Sequence, residues 1–123
     1  MELNEVTHTV IGCALKVHTA LGPGLLENAY HRCLARELEK IGLRVESGVA
    51  LPIVYDGLRI EGAYRVDLRV EKIVLVEVKA VETILPVHRA QLLSYLQLSR
   101  VRVGLLINFN VVRLVDGIKR MIR

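Results

Sequence analysis

Cysteine, aromatic side chains and long hydrophobic runs are all scarce in this chain. Its two cysteines, Cys13 and Cys33, are not accompanied by a matching pair of histidines, so neither a disulfide framework nor a zinc site is expected. Each falls on the apolar side of a predicted helix, where free cysteine packs as a small hydrophobe. The only aromatics are four Tyr and one Phe, which argues against a single-strand binder built on base stacking.

No apolar run approaches the roughly 20 residues of a membrane-spanning helix. The first residues lack the basic and then apolar character of a signal peptide, so we expect a cytoplasmic protein with no membrane partner. A length of 123 residues predicts a single domain over residues 1–123. Because 52% of the residues are hydrophobic, a homodimer that buries apolar surface is a further expectation.

The net charge of +4 permits nucleic-acid binding without establishing it. Lysine and arginine are spread along the chain, with a mild concentration at Lys119, Arg120 and Arg123. A basic cluster of this kind is usually solvated, so it carries little weight.

The spacing of apolar residues predicts an α/β fold, with a central mixed sheet flanked by helices. Helices are expected at about 4–20, 25–41 and 86–98, with Gly22-Pro23-Gly24 separating the first two. Asp56-Gly57 predicts a hairpin turn, and Gly62 predicts a bulge or break in the strand that follows. Because a strand, a helix and a strand succeed the hairpins, we expect a right-handed parallel crossover. Strands are predicted at about 49–55, 58–70, 73–80 and 101–108, and the tail at 113–122 fits either strand or helix.

The segment from Tyr64 to Lys79 carries two acids and a lysine within a hairpin of alternating apolar residues. The same register that aligns the apolar residues sets Asp67 opposite Glu77. Opposed Cβ atoms lie about 4.5–5.5 Å apart, so two carboxylates there repel each other unless a proton or a cation lies between them. The hairpin therefore predicts a divalent-metal site, with a solvated acidic face as the open alternative. The aligned pairs are Val66 with Val78, Leu68 with Val76, Val70 with Val74, and Arg65 with Lys79.

The motifs of this chain, taken together, resemble the PD-(D/E)XK nuclease superfamily. They are Asp67, Glu77-Val-Lys79, Glu27 on a preceding helix, and Gln91-Leu-Leu-Ser-Tyr95 on the following helix. More narrowly, Gly24-Leu-Leu-Glu27-Asn-Ala-Tyr30 resembles the signature of the GxxExxY protein family, which is assigned to that superfamily. The resemblance implies a restriction-endonuclease-like αβββαβ core. It covers nearly the whole chain and includes Leu21-Gly-Pro-Gly24, Leu85-Pro-Val-His88 and Gly104-Leu-Leu-Ile-Asn-Phe-Asn110.

The resemblance also implies roles for the hairpin residues. Asp67 and Glu77 would ligate Mg²⁺ or Mn²⁺, hard cations that favour carboxylate oxygen, and the Val78 carbonyl could supply a further ligand. Lys79 would orient or help deprotonate the attacking water and stabilise charge on the phosphoryl group.

The resemblance implies helix residues at the site as well. Glu27 could complete the metal shell directly or through water, although a solvated helix glutamate is an equally open interpretation. Gln91 and Tyr95, one turn apart on one helix face, would hold the site or a phosphate and bond to the catalytic layer. A tyrosine among leucines is by default a core residue, and Tyr30 is either core or a partner of the site.

The remaining candidates are basic side chains. We interpret His8, His18 and His31 as structural, although Lys16 and His18 could face a phosphate. Arg65 and Arg69 share the strand face of Asp67, where they could contact a nucleic-acid backbone or neutralise the acidic pair.

The implied function is a metal-dependent nuclease that hydrolyses phosphodiester bonds in nucleic acid, with DNA as the first choice of substrate. The alternative is a non-catalytic nuclease-fold module that binds nucleic acid or a protein partner. A third hypothesis is a structural subunit that oligomerises through its apolar surface. Cleavage that requires Mg²⁺ or Mn²⁺ separates the first hypothesis from the others, and salt-sensitive binding without cleavage favours the second.

Overall fold

Three helices and five strands make up the fold, and a computed structural model describes residues 1–123. This order confirms the predicted α/β fold with its αβββαβ core. A single 3₁₀ turn at Leu114–Gly117 precedes the last strand, so the ambiguous tail contains both helical and extended structure. The helices are α1 Leu3–Leu21, α2 Glu27–Lys40 and α3 Pro86–Ser99, and the strands are β1 Val45–Tyr55, β2 Leu58–Val70, β3 Val74–Lys79, β4 Val103–Asn108 and β5 Ile118–Ile122.

The five strands form one mixed sheet in the order β1-β2-β3-β4-β5. Neighbouring strands are antiparallel except for β3 and β4, which are parallel and joined through α3. This arrangement confirms the predicted parallel crossover. Strand β4 is buried along its whole length, as expected for a strand covered on both faces. No helix combines the length and apolar character needed to cross a membrane.

Helices cover both faces of the sheet and divide the interior into two cores. The core beneath α1 and α2 includes Val10, Leu34, Val76 and Ile107, with Cys13 and Cys33 packed against its edge. The core beneath α3 is smaller and contains Leu51, Val66, Leu75, Leu92, Tyr95, Leu96, Val101 and Leu106. Both cysteines are free.

The β2–β3 hairpin follows the predicted register near its turn only. Leu68 lies opposite Val76 and Val70 opposite Val74, as expected, and the pairing ends there. The predicted pairs of Val66 with Val78 and of Arg65 with Lys79 are therefore wrong. Arg65 pairs instead with Ala50 of β1.

A change of face on β1 and β2 explains this departure. Val66 packs in the core beneath α3, whereas Leu68, two residues further along, packs beneath α1 and α2. Gly48 on β1, which lies between the residues that pair with Val66 and Leu68, has a positive φ of +61°. Glycine adopts this conformation without a steric penalty, so β1 and β2 can both change face here. Beyond this point the β1–β2 hairpin, including Leu51 and Val66, packs against α3. Strict alternation along β2 is broken at Asp67.

The other turn predictions hold. Leu51 pairs with Tyr64 but Ile53 pairs with Ile60, so β2 has extra residues around Gly62, and the predicted bulge is confirmed. At the hairpin tip, Val54, Tyr55 and Leu58 are exposed. They are a candidate surface for the predicted homodimer, which stays a prediction that light scattering at micromolar concentration tests.

Candidate active site

Side-chain hydrogen bonds link β2 and β3 where their backbone pairing ends. The Asp67 N–H donates to Glu77 Oε1 at 2.8 Å, and the Val78 N–H donates to Asp67 Oδ2 at 2.7 Å. Each carboxylate is thus fixed by a backbone donor of the opposite strand, a charge-assisted bond that is stronger than a neutral one. Asp67 and Glu77 are neighbours across the two strands, as the register predicted. The contact is made by hydrogen bonds from backbone N–H groups to the two carboxylates, and not by the backbone ladder.

One oxygen of each carboxylate is left over. Asp67 Oδ1 accepts no hydrogen bond from the chain, and Glu77 Oε2 has only the Lys79 ammonium at 3.9 Å. That distance is at the long end for an ion pair, so the lysine does not saturate the oxygen. Two carboxylate oxygens therefore remain available to an external ligand.

Glu77 is a buried acid rather than part of a solvated face, since its exposed fraction is 5%. Burial, followed by the negative charge of Asp67, raises the pKa of Glu77 to about 7. The hydrogen bond from the Asp67 backbone and the charge of Lys79 act in the opposite direction but are outweighed. The direction of this shift agrees with the repulsion expected between two opposed carboxylates.

The Val78 main chain faces the same gap. Its N–H points toward β2, because it donates to Asp67 Oδ2, and in an extended strand the N–H and C=O of one residue point to the same side. The next residue faces the other way, since the Lys79 carbonyl accepts a hydrogen bond from the Phe109 N–H on the β4 side at 2.9 Å. The Val78 carbonyl therefore lies on the side of Asp67, where a third oxygen ligand is useful.

Asn108 is a residue near the site to which the sequence assigned no role. It ends the buried strand β4, lies beside Lys79 in the parallel ladder and is 2% exposed. Its side chain accepts from the Val81 N–H at 3.0 Å and donates to the Val81 carbonyl at 2.8 Å. The amide thereby fixes the segment that leaves β3 just after Lys79. A lone polar residue ending an otherwise apolar buried strand was the available signal.

Tyr30 explains part of the Gly24–Tyr30 motif. Its hydroxyl donates to the Gly22 carbonyl at 2.6 Å and accepts from the Leu25 N–H at 3.0 Å. The ring is fully buried and stacks on Phe109 with centroids 4.6 Å apart. Tyr30 is therefore a core residue that fixes the turn before α2, and this turn sets where Glu27 begins the helix.

Glu27 is exposed at the first position of α2. Its negative charge adds slightly to the rise in the pKa of Glu77, so it lies within electrostatic range of that acid. No group of three or more His, Cys, Asp or Glu side chains is close enough to hold a metal ion. The structure thus gathers two acids at the site, and Glu27 as a direct third ligand stays a prediction.

Tyr95 and Gln91 lie on α3, over the same sheet face as Glu77. Tyr95 is 5% exposed within the core beneath α3. Burial, and then the charges of Glu77 and Asp67, raise the pKa of its hydroxyl, so it is both a core residue and a neighbour of the site. Gln91 is exposed and lines a groove with Tyr95 and Tyr64; Glu27 is not among the residues lining it. Convergence of Gln91 and Glu27 on the acidic pair stays a prediction.

The other basic candidates have partners outside the site. Arg69 binds Glu46 through two hydrogen bonds, and Arg65 donates to the Gly48 carbonyl, so neither neutralises the acidic pair. His18 is buried with Nε2 at 2.8 Å from the Val111 carbonyl, in agreement with its structural interpretation. The largest cavity, about 370 Å³, lies between α1 and α2 and does not include the acids.

Comparisons with known proteins agree with this geometry at the level of the family. The family model of the PD-(D/E)XK nuclease superfamily matches residues 4–121. No curated protein and no solved structure matches the chain. Nucleases of the superfamily generally use divalent metal ions, and a five-stranded mixed sheet with three helices fits their core. Because the match covers nearly the whole sequence, the chain belongs to the PD-(D/E)XK nuclease superfamily.

Proposed function

We propose that this protein is a Mg²⁺- or Mn²⁺-dependent nuclease that hydrolyses phosphodiester bonds in DNA. The observation that carries the proposal is the pair Asp67 and Glu77. Backbone donors fix both carboxylates across the strand gap, each carboxylate keeps one free oxygen, and the Lys79 ammonium lies 3.9 Å from that of Glu77. Superfamily membership alone would not favour an active member over an inactive one, because fold does not imply function.

The donor set fits a hard divalent cation. Two carboxylate oxygens and the Val78 carbonyl are the ligand type that Mg²⁺ and Mn²⁺ prefer. Mg²⁺ usually keeps several water ligands and needs only one or two carboxylates, which agrees with a site of two acids. A bound divalent cation supplies positive charge beside the phosphate and lowers the pKa of a coordinated water. We assign Glu27, which is exposed and within electrostatic range of Glu77, to contacting such a water.

The protein's own groups account for the remaining roles. The Lys79 side chain is 16% exposed, so it is largely shielded from bulk water. A charge acts more strongly on its neighbours in such a shielded position than in bulk water. We assign it to orienting the attacking water and stabilising negative charge on the phosphoryl oxygens. Gln91 is assigned to holding a phosphate, and Tyr95 to supporting the acid layer from α3. The net charge of +4 favours a polyanionic substrate.

The assignment to the GxxExxY family is part of the same proposal. It rests on the motif from Gly24 to Tyr30, in which Tyr30 fixes the turn that precedes Glu27. The tyrosine of the motif therefore has a structural role, and we assign the functional role to Glu27.

The decisive experiment is metal-dependent cleavage of labelled DNA by the parent and by Lys79→Ala. We expect cleavage with Mg²⁺ or Mn²⁺, none with EDTA, and a loss of about 100-fold or more in Lys79→Ala, the size typical of removing one charge-stabilising group. Lys72→Ala is the matched control, because Lys72 lies on the same hairpin but pairs with Glu46; it should cleave like the parent. Parent protein that cleaves neither single-stranded nor duplex DNA with either metal, or cleavage unaffected in Lys79→Ala, would overturn the nuclease proposal. Salt-sensitive binding without cleavage would support the non-catalytic alternative.

A further inference from the structure

Two of the chain's few aromatic rings meet beside the acidic pair. Tyr30 and Phe109 stack in the core, away from solvent. Tyr64 of β2 and Tyr95 of α3 instead lie with ring centroids 6.5 Å apart and planes inclined by 59°. Tyr64 is 40% exposed, so one face of this pair is open. Aromatic residues are too few for an extended stacking surface, but these two are concentrated at one place.

A groove of about 320 Å³ opens between the β1–β2 hairpin and α3, and the two tyrosines form part of its wall. This volume falls within the range of about 300–1,000 Å³ typical of small-molecule sites. Most of the lining is apolar, with an amide and a hydroxyl as polar groups. The lining includes Tyr64, Ala90, Gln91, Ser94 and Tyr95.

The groove lies near the acid site, because Tyr95, which lines the groove, is within electrostatic range of Glu77 and Asp67. Tyr95 packs with Val66 and Leu75 beneath α3. Val66 directly precedes Asp67, and Leu75 is two positions before Glu77 on the same face of β3. A nucleotide whose phosphate is held at the acids would therefore extend toward the groove.

We propose that the groove binds one unpaired base next to the phosphate that is cleaved, so that the substrate is single-stranded or locally unpaired DNA. This inference rests on the proposed nuclease function. A base would stack on the open face of Tyr64, and its hydrogen-bonding edge would meet the Ser94 hydroxyl, while the Gln91 amide holds the adjoining phosphate. A base inside a duplex has both faces stacked and its pairing edge occupied, so it must leave the helix to make these contacts.

The inference is tested by DNA binding with Ca²⁺ in place of Mg²⁺, using anisotropy of a labelled single strand, its fully paired duplex and the same duplex with one bulged base. Ala90→Trp fills the groove from an exposed helix position, and Tyr64→Leu removes the stacking ring but keeps apolar bulk. Gln97→Trp is the matched control, since Gln97 is exposed on the same helix and does not line the groove. Circular dichroism melts establish that each variant is folded.

The parent should bind the single strand and the bulged duplex about tenfold more tightly than the paired duplex, since one base–aromatic stack is worth roughly that factor. Ala90→Trp and Tyr64→Leu should lose this preference, while Gln97→Trp keeps it. Equal binding of all three DNAs by the parent, or an unchanged preference in a folded Tyr64→Leu, would overturn the inference. Metal-dependent cleavage without any binding preference would overturn base binding in the groove and leave the nuclease proposal standing. A clear binding preference without cleavage would overturn the nuclease proposal and leave base binding in the groove standing.

Discussion

Glu46 and Glu77 are buried to different extents on one sheet, and their negative charges are compensated in different ways. Glu46 accepts two hydrogen bonds from Arg69, at 3.0 and 2.7 Å, and lies 3.2 Å from Lys72. The hydrogen bond with Arg69 above all lowers the pKa of Glu46 to about 2. Glu77 has an acid as its nearest charged neighbour across the strands, and burial raises its pKa to about 7.

The difference lies in what compensates each charge. Glu46 is fully paired, so its carboxylate has no capacity left for a ligand. Glu77 is held by a backbone N–H and by a lysine too distant to saturate it, so its negative charge is unfavourable in the absence of a ligand. Perturbed acids of this kind are concentrated at functional sites. The predictions below test whether the contrast is real and which acid binds the ligand.

The largest effect is expected for Glu77→Gln in metal-free protein. A raised pKa means that the contribution of the protonated acid to stability is fully present below pH 4.5 and is lost as the pH rises through about 7. The parent should lose on the order of 3 kcal/mol over this window, and Glu77→Gln should not, because glutamine stays neutral and still accepts the Asp67 N–H. Urea denaturation as a function of pH measures the difference.

The control for this measurement is Glu27→Gln. Glu27 is exposed and contributes least to the shift at Glu77, so its removal should leave the pH profile nearly unchanged. If the stability of the parent and of Glu77→Gln changed in parallel from pH 4.5 upward, the pKa of Glu77 would not be raised in the folded protein.

The adjacency of Asp67 and Glu77 was accessible from the sequence. The apolar alternation near the turn set the correct register for Leu68 and Val70, and with it the adjacency of Asp67 and Glu77. The parallel crossover followed from element order, and the site residues on the helices were implied by the resemblance to the nuclease superfamily. Local periodicity is a strong constraint where one strand face is continuously apolar.

What the sequence did not predict depends on three-dimensional contacts. Val66 continues the apolar alternation of β2, so nothing local indicates that it packs on the opposite face from Leu68. The reversal arises at Gly48, a residue far along the chain in another strand. The pairing of Arg69 with Glu46 likewise joins β2 to β1. The strand face that Arg69 shares with Asp67 had suggested either a contact with a nucleic-acid backbone or neutralisation of the acidic pair. The two hydrogen bonds between the Asn108 side chain and the Val81 backbone join segments that are brought together only by the parallel crossover.

The second prediction concerns Asp67 and the metal. Mn²⁺ should stabilise the parent, because it binds the folded site and relieves the repulsion between the acids; at 100 times its dissociation constant the gain is about 2.7 kcal/mol. Asp67→Asn should melt at or above the temperature of the metal-free parent and show no metal-induced gain. Its amide oxygen can still accept the Val78 N–H, so the strand contact survives. Thermal melts with and without Mn²⁺ provide the measurement.

The matched control for the metal experiment is Glu46→Gln, which removes an acid of the same sheet outside the site. It should retain the full metal-induced gain. An Asp67→Asn variant that melts like the parent both with and without Mn²⁺ would indicate that the acidic pair does not bind the metal.

The smallest effect is expected for Glu46→Gln without metal, and its sign is opposite to that of Glu77→Gln. Because the pKa of Glu46 is lowered, its stabilising contribution is present above pH 4.5 and is lost as the pH falls through about 2. Solvent screens this partly exposed pair, so the variant should lose under about 1 kcal/mol at neutral pH. The loss should shrink in high salt and vanish toward pH 2, as measured by urea denaturation beside the parent. A Glu46→Gln variant that is more stable than the parent at neutral pH would show that both glutamates are uncompensated, and the distinction between a structural and a functional acid on this sheet would fail.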